Sequence, residues 1–350
     1  MKLSLSALAD HWRKTRRGDT PAVSVIIPTY NCEAYLARAI DSALGQEAVA
    51  TEVLVVDDVS TDETQALLRS RYGGNFSVRA LRHEVNRGQG AARNTALEVA
   101  RGKYVFFLDA DDWIEPDTLR HLTSLAEGSD AEIVACGARF AFADGRVEPY
   151  HAHSFACRGG REALRELIAF RIGSIVWNKL YLRSFLDAHR LRFVDSRGKE
   201  DVIFTTEAVY ACRRYLSVGD FHCNYFQRDD SCIQTTPTIH HLESFIHLYV
   251  DITRFVERHR LDTDPEGVEI ARGLFQAHCS TDLFPKLVTY VGSRPRAQWE
   301  SECWAVCHDL LGTGGYAVAD VLIRTMRDSR SVAALDASPG STGQRGGERA

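Results

Sequence analysis

"YVFFLDADDW", Tyr104–Trp113, joins a run of large apolar side chains to the carboxylates of Asp109, Asp111 and Asp112. An apolar run this short and unbroken reads as a strand buried on both faces. Acids crowded at the end of such a strand disfavour one another's ionisation. Either they face water and are idle, or a cation is meant to sit among them.

The same grammar extends on both sides. "VSVIIPTY" (Val23–Tyr30) is a β-branched run closed by proline, and "TEVLVVDD" (Thr51–Asp58) is a second buried strand. Between them "EAYLARAIDSALGQ" sets Leu36, Ala39, Ile40, Ala43 and Leu44 on one helical face. "STDETQALLRSRYGG" opens with Ser60 and Glu63 at capping-box spacing, and "GQGAARNTALEVARG" is a helix bounded by glycines. "SVRALRHE" is a weaker strand, "PDTLRHLTSLAEG" a helix with proline in its first turn, and "AEIVACGARF" another strand. Strand and helix alternating at short intervals predict an α/β fold with a mainly parallel sheet covered on both faces. Ligands of such sheets gather beyond the carboxyl ends of the strands. Thr29, Tyr30 and Asn31, then Asp57 and Asp58, then Asp109 to Asp112 stand at three such ends.

Beyond about Gly145 the rhythm changes. Arg161–Phe193 reads as mostly helical, Gly198–Arg214 as a helix with acids at its start, and Tyr215–Gln234 as a hairpin. The implied layout is an N-terminal segment 1–20 and a main domain 21–235, divided into halves 21–140 and 141–235. A helical region 236–330 and a disordered tail 331–350 follow.

The composition, 45% hydrophobic and 25% charged, is that of a globular protein, and the net charge of -5 sets nucleic acid aside as a partner. The nine cysteines form no framework. Cys303, Cys307 and His308 lack a second cluster to complete a zinc site, so the thiols read as reduced, in a cytoplasmic protein. No apolar run reaches the roughly 18–20 residues that span a bilayer. In the N-terminal segment Leu5, Leu8 and Trp12 share a helical face ahead of Arg13, Lys14, Arg16 and Arg17. Packing on the body and peripheral contact with an anionic membrane surface both fit.

"VSVIIPTYN", "VVDDVSTDET", "NRGQGAARNTAL" and "YVFFLDADDW", in this order and at this spacing, resemble the nucleotide-binding half of the family 2 glycosyltransferases, which have the GT-A fold. The resemblance is close over Val23–Cys136 and continues more loosely through "VWNKLY", "EDVIF" and "YFQRDDS" to Ser231. It implies inverting transfer of a sugar from a nucleotide-sugar, a UDP-sugar by preference, to the hydroxyl of a glycan or glycolipid in bacterial surface polysaccharide synthesis, with Mn2+ or Mg2+ as cofactor.

The resemblance also implies roles. Pro28 and Tyr30 line the base and Asp58 hydrogen-bonds it. Asn86 and Arg93 hold the nucleoside side of the donor, although Arg93 pairing with Asp57 or Asp58 and Asn86 shaping a turn also fit. Asp109 approaches the ribose and metal, Asp111 coordinates the metal, and Asp112 stands behind them or caps a helix. Asp201 is the general base and Glu200 its catalytic neighbour, positioning acceptor or sugar; acids favouring a helix N-terminus are the other reading. Trp177, Asn178 and Lys179 border the sugar pocket, with tryptophan equally fit for the core. Arg228 and Ser231 contact phosphate. Two departures stand out: Val59 replaces the glycine usual after the paired aspartates, and the histidine some members use as a metal ligand is missing, with Asp229 and Asp230 in its region. His222 and His240 flank that loop without matching. A nucleotide- or glycan-binding module without turnover and a sugar nucleotidyltransferase are the rival readings; "IPTYNCEAYL" lacks the triphosphate loop the latter needs.

Overall fold

The computed structural model describes residues 20–194, 199–228, 239–283, 295–311, 319–320 and 323–324. The segment ahead of Thr20 and the tail 331–350 fall outside them. So do Asp229, Asp230 and Ser231.

The first half follows the sequence pattern. β1 (Val23–Thr29), β2 (Thr51–Asp57), β3 (Val78–Arg82) and β4 (Tyr104–Phe107) form a parallel sheet in the order β3-β2-β1-β4. α1 (Leu36–Leu44), α2 (Thr64–Leu67) and α3 (Gln89–Val99) are the intervening helices. Every residue of β1 and β4 is buried, as strands covered on both faces must be. Val25 sits between Val53 and Phe106 in register. Pro28 lies past Ile26, the last β1 residue paired with β4, so its missing amide hydrogen costs that ladder nothing. Ser60 and Glu63 do not form the capping box. The Ser60 hydroxyl accepts from the Asn31 amide at 2.9 Å instead, and Glu63 makes no side-chain cap bond.

β5 (Trp113–Ile114), α4 (Thr118–Ser129), β6 (Ile133–Ala141), β7 (Val147–His151), β8 (Phe155–Cys157) and α5 (Arg161–Ile168) come next. The helical reading of Arg161–Phe193 needs correction. Lys179–Leu182 is strand β9, inserted antiparallel between β4 and β6 and followed by α6 (Arg183–Ala188). Nor is there a hairpin in Tyr215–Phe226, which is one strand, β10, after α7 (Glu200–Ala211). β10 runs parallel to β6 and pairs β5 and β8 antiparallel, with register shifts between Ser217 and Cys223. One sheet therefore runs through both halves, parallel at the β3 end and mixed beyond β4.

The chain divides into two compact units, Met1–Thr235 with Asp251–Ala277, and Thr236–Val250 with His278–Ala350. The first also contains α9 (Pro265–Phe275), N-capped by Asp264, whose carboxylate receives Arg161 of α5. α8 (Ile239–Arg258) passes from one unit into the other. In the second unit α10 (Arg296–Leu311) buries Trp299, Cys303 and Cys307.

Candidate active site

The carboxyl ends of β1 and β2 are tied to each other before any ligand is considered. The Asp58 amide donates to the Thr29 carbonyl at 2.9 Å, and Asn31 Oδ1 accepts from the Thr61 amide at 2.8 Å. Asp57 is fully buried and accepts from the Ser60 amide and from Gln65 Nε2. Asp58 is nearly as deep, and its oxygens are occupied. Oδ1 meets His83 Nδ1 at 2.7 Å and the Arg87 amide at 2.9 Å; Oδ2 accepts from the amides of Arg87 and Gly88. The other His83 nitrogen meets Thr95 Oγ1 at 2.9 Å. Three donors thus hold this carboxylate: the His83 ring and the amides of Arg87 and Gly88. Asp58 fixes the loop that opens α3, where Gly88 takes φ +84°, and Asn86 Nδ2 closes it by donating to the Asp58 carbonyl. Val59 adopts φ +70°, so the tight turn forms with the strain that glycine would have avoided.

The acids after β4 are divided by environment. Asp109 is the most open, its side chain 26% exposed, and its Oδ1 accepts from Arg93 Nη2 at 2.8 Å. Asp111 Oδ2 faces Arg228 Nε at 3.1 Å, and its carbonyl accepts from Arg38 Nη2 at 2.7 Å. Arg38 stacks on Trp113 and Phe226, and Arg228 lies over Tyr35. Burial first, then Asp109, lifts the Asp111 carboxyl above its ordinary range, against the pull of Arg228. Asp112 is buried and raised further, by burial and then by Asp111 and Asp109. Its Oδ1 accepts from the Phe226 amide at 2.9 Å, while Oδ2 has no hydrogen-bond partner among the described residues. Asp112 thus fastens β10 to the end of β4.

α7 brings the second set of acids to the same place. Arg93, which the resemblance assigns to the donor, is buried and clamps acids from both sets. Nη1 donates to Glu200 Oε1 at 3.0 Å, and Nη2 donates to Asp109 and to Gln89 Oε1. Its pairing with Asp57 or Asp58 does not occur. Burial opposes its charge, but Asp109, Glu200 and Asp201 outweigh burial and leave the guanidinium above its usual value. Glu200 is fully buried and fits because Gly90 has no side chain; a Cβ there would stand 2.9 Å from Glu200 Cγ. Asp201, next along, keeps part of its surface open. Burial raises its pKa, and Lys199 and Arg93 work the other way. A carboxylate raised above its ordinary range, beside Asp109 and open on one side, is suited to accept a proton.

Trp177, Asn178 and Lys179, expected to border the sugar pocket, are buried. Trp177 belongs to the core. Asn178 donates to the Cys136 carbonyl at 2.9 Å, and the Lys179 ammonium donates to the carbonyls of Gly173 and Ile175 and to Asn178 Oδ1. Burial pushes the Lys179 ammonium down to about 7. What is exposed here is Tyr150, stacked on Trp177 at 6.1 Å; Tyr225 is half-buried, its phenol pushed up by burial and by Asp112, Asp109 and Asp111. The sequence reading passed over both tyrosines, and also Arg38. Their signal was weak: Tyr225 precedes "FQRDDS" directly, and Arg38 lies on the helix that follows the first strand end. Tyr30 is half exposed, as a stacking platform requires, and Pro28 is buried behind it.

The profile of Glycosyl transferase family 2 matches residues 24–189. The succinoglycan biosynthesis protein ExoO of Rhizobium meliloti (strain 1021) is 30% identical over 249 residues, 69% of this chain and 70% of ExoO. The chain belongs to glycosyl transferase family 2. Its match takes in 64% of one curated relative's length and 71% of another's. Among solved structures, S. aureus TarS 1-349 in complex with UDP-GlcNAc has a TM-score of 0.65 at 21% identity, over 88% of each chain. The mannosyltransferase PcManGT from Pyrobaculum calidifontis, in complex with GDP-Man and Mn2+, has a TM-score of 0.54 at 18% identity, over 95% of this chain and 94% of its own. Both likenesses are of fold, and the GT-A expectation agrees with them.

Proposed function

We propose that the chain transfers a sugar, with inversion, from a nucleotide-diphosphate sugar to a hydroxyl of a growing surface polysaccharide or glycolipid. One observation carries this reading. Asp109, after β4, and Glu200, at the start of α7, converge on a single buried guanidinium, Arg93. The names of ExoO and TarS favour a polysaccharide context and UDP-GlcNAc as the first donor to try, with GDP-mannose second.

Asp109 and Asp111 fit a Mg2+ or Mn2+ ion. Both are hard oxygen donors, and Asp111 carries the cost of burial beside a like charge, which a cation would offset. They would hold the ion, which when bound supplies charge stabilisation for the departing diphosphate. Tyr30 offers its ring to the base, and Arg228 its charge to the diphosphate. Asp201 takes the proton of the acceptor hydroxyl. The oxygen then bonds to the anomeric carbon as the carbon–oxygen bond to the diphosphate breaks, and the leaving group keeps the electron pair. Glu200 positions this end of α7 through Arg93 and touches no substrate in this scheme.

A general base contributes on the order of 10²–10⁴ in rate. Asp201→Asn is therefore expected to lose transfer by about that factor while binding UDP or GDP with unchanged affinity by calorimetry. Unchanged transfer removes Asp201 from the role. Hydrolysis of candidate donors without acceptor, in the presence of Mn2+, separates an enzyme from a module that only binds.

A further inference from the structure

The irregular part of β10 brings side chains of metal-ligating types against α4. Between Ser217 and Cys223 the register with β6 shifts, and bulges of this kind re-aim side chains. Asp220 and His222 both meet the first turns of α4 there. α4 contributes His121. One donor atom from each of His121, Asp220 and His222 lies within 4.8 Å of the other two. His121 Nε2 stands 3.6 Å from Asp220 Oδ2, and the two imidazoles stack with centroids 4.9 Å apart. His222 Nδ1 faces Asp117 Oδ1 and Thr118 Oγ1, each at 3.5 Å. His121 Nε2 is buried and makes no hydrogen bond.

Nitrogen and oxygen ligands held about 2.0–2.2 Å from a tetrahedral ion stand about 3.4 Å from one another. The His121–Asp220 separation is already close to this. A histidine whose Nδ1–H is turned to a carboxylate presents Nε2 in a fixed direction, the usual support for a metal-bound imidazole. Imidazole pairs with one carboxylate suit borderline transition ions better than Mg2+ or Ca2+. Asp220, its side chain 72% exposed, leaves the group open to solvent on one side.

We propose that His121, Asp220 and His222 form a binding site for a borderline divalent ion such as Zn2+, separate from the acids at Asp109 and Asp111. The two groups share no residue. Phe226, which Asp112 holds, is about 13 Å further along β10 than His222 at the usual rise of a strand. An ion here ties the bulge of β10 to α4 and takes no part in sugar transfer.

The test uses the full chain stripped with EDTA and titrated with Co2+ or Zn2+ alone, without nucleotide. The expected result is one equivalent of Co2+ with visible d–d absorption and a raised melting temperature. His121→Gln and Asp220→Asn, neither at a fully buried position, are expected to weaken binding at least tenfold; their far-UV circular dichroism checks folding. Asp111→Asn is expected to retain the site. Failure to bind an equivalent, full affinity in both His121→Gln and Asp220→Asn, or loss of the site in Asp111→Asn overturns the proposal.

Discussion

Replacing Arg93 by methionine separates a structural clamp from a donor contact. The Arg93 side chain is 2% exposed and the Glu200 side chain 0%, and Arg93 is the charged partner of Glu200. Methionine fills similar space but leaves Glu200 buried without that partner, and its Oε2 already has none. Asp109, more open, recovers water. The cheapest escape for Glu200 is to take a proton. Burial already lifts the Glu200 carboxyl in the parent against the pull of Arg93, so the added cost is at most about 3.7 kcal/mol, that of keeping a carboxyl of ordinary pKa about 4.3 protonated at pH 7, at 1.36 kcal/mol per unit. That agrees with the 3–5 kcal/mol typical of a broken buried pair, roughly. The folded-state pKa of Glu200, already raised by burial in the parent, then stands still further above the unfolded value, so the folded chain holds a proton that the unfolded chain releases. The cost therefore grows as pH rises above about 4.3 and shrinks to about 1 kcal/mol at pH 5. Urea unfolding at pH 5 and pH 7, read by fluorescence, measures both. Arg93→Met/Glu200→Met is expected to recover most of the loss, because an apolar pair replaces the ionic one. A loss under about 1 kcal/mol at pH 7, or one that grows toward acid, refutes this reasoning. A donor contact would instead raise the KM for the nucleotide-sugar and leave stability alone.

Three further perturbations test other parts of the site. Val59→Gly is expected to raise the unfolding free energy by about 1 kcal/mol, because φ +70° strains valine by more than glycine loses in chain entropy; thermal unfolding reads it. Gly90→Ala is expected to destabilise by about 1–3 kcal/mol and to lower transfer, since its Cβ would meet Glu200 Cγ at 2.9 Å and displace the start of α7. Lys179 has a folded-state pKa of about 7, below its unfolded value, so its cost is full below pH 7 and fades as pH rises toward about 10.4. The stability of Lys179→Met relative to the parent is expected to fall as pH rises from 7 to 9, measured by chemical unfolding.

The N-terminal half was legible because each of its elements announces itself locally. β1, β2 and β4 are apolar runs, and their polar ends follow within a residue or two. β9 was not, because four residues are too few to establish a period, and its first is a lysine whose charge is met by carbonyls of residues 173 and 175. The continuity of β10 was hidden by Gly219 and Asp220, which read as a turn and form a bulge. Residue types at the site were visible while partner choice was not. Arg93 was singled out, but its pairing with Glu200 spans 107 positions. Asp58 was singled out as well, and its commitment to the amides of Arg87 and Gly88 is a property of loop geometry that spacing does not carry.

The single sheet has a practical consequence for dissecting the protein. The stretch matched by the family profile ends at residue 189, short of α7 and β10. A fragment cut there would lose the strand that covers one side of β6 and pairs with β5, and would expose an apolar, unpaired edge. It would also leave Arg93 without Glu200 and Asp112 without the Phe226 amide. The region recognised most easily in the sequence is thus not a portable module, and truncations meant to isolate donor binding should keep the chain through at least Phe226.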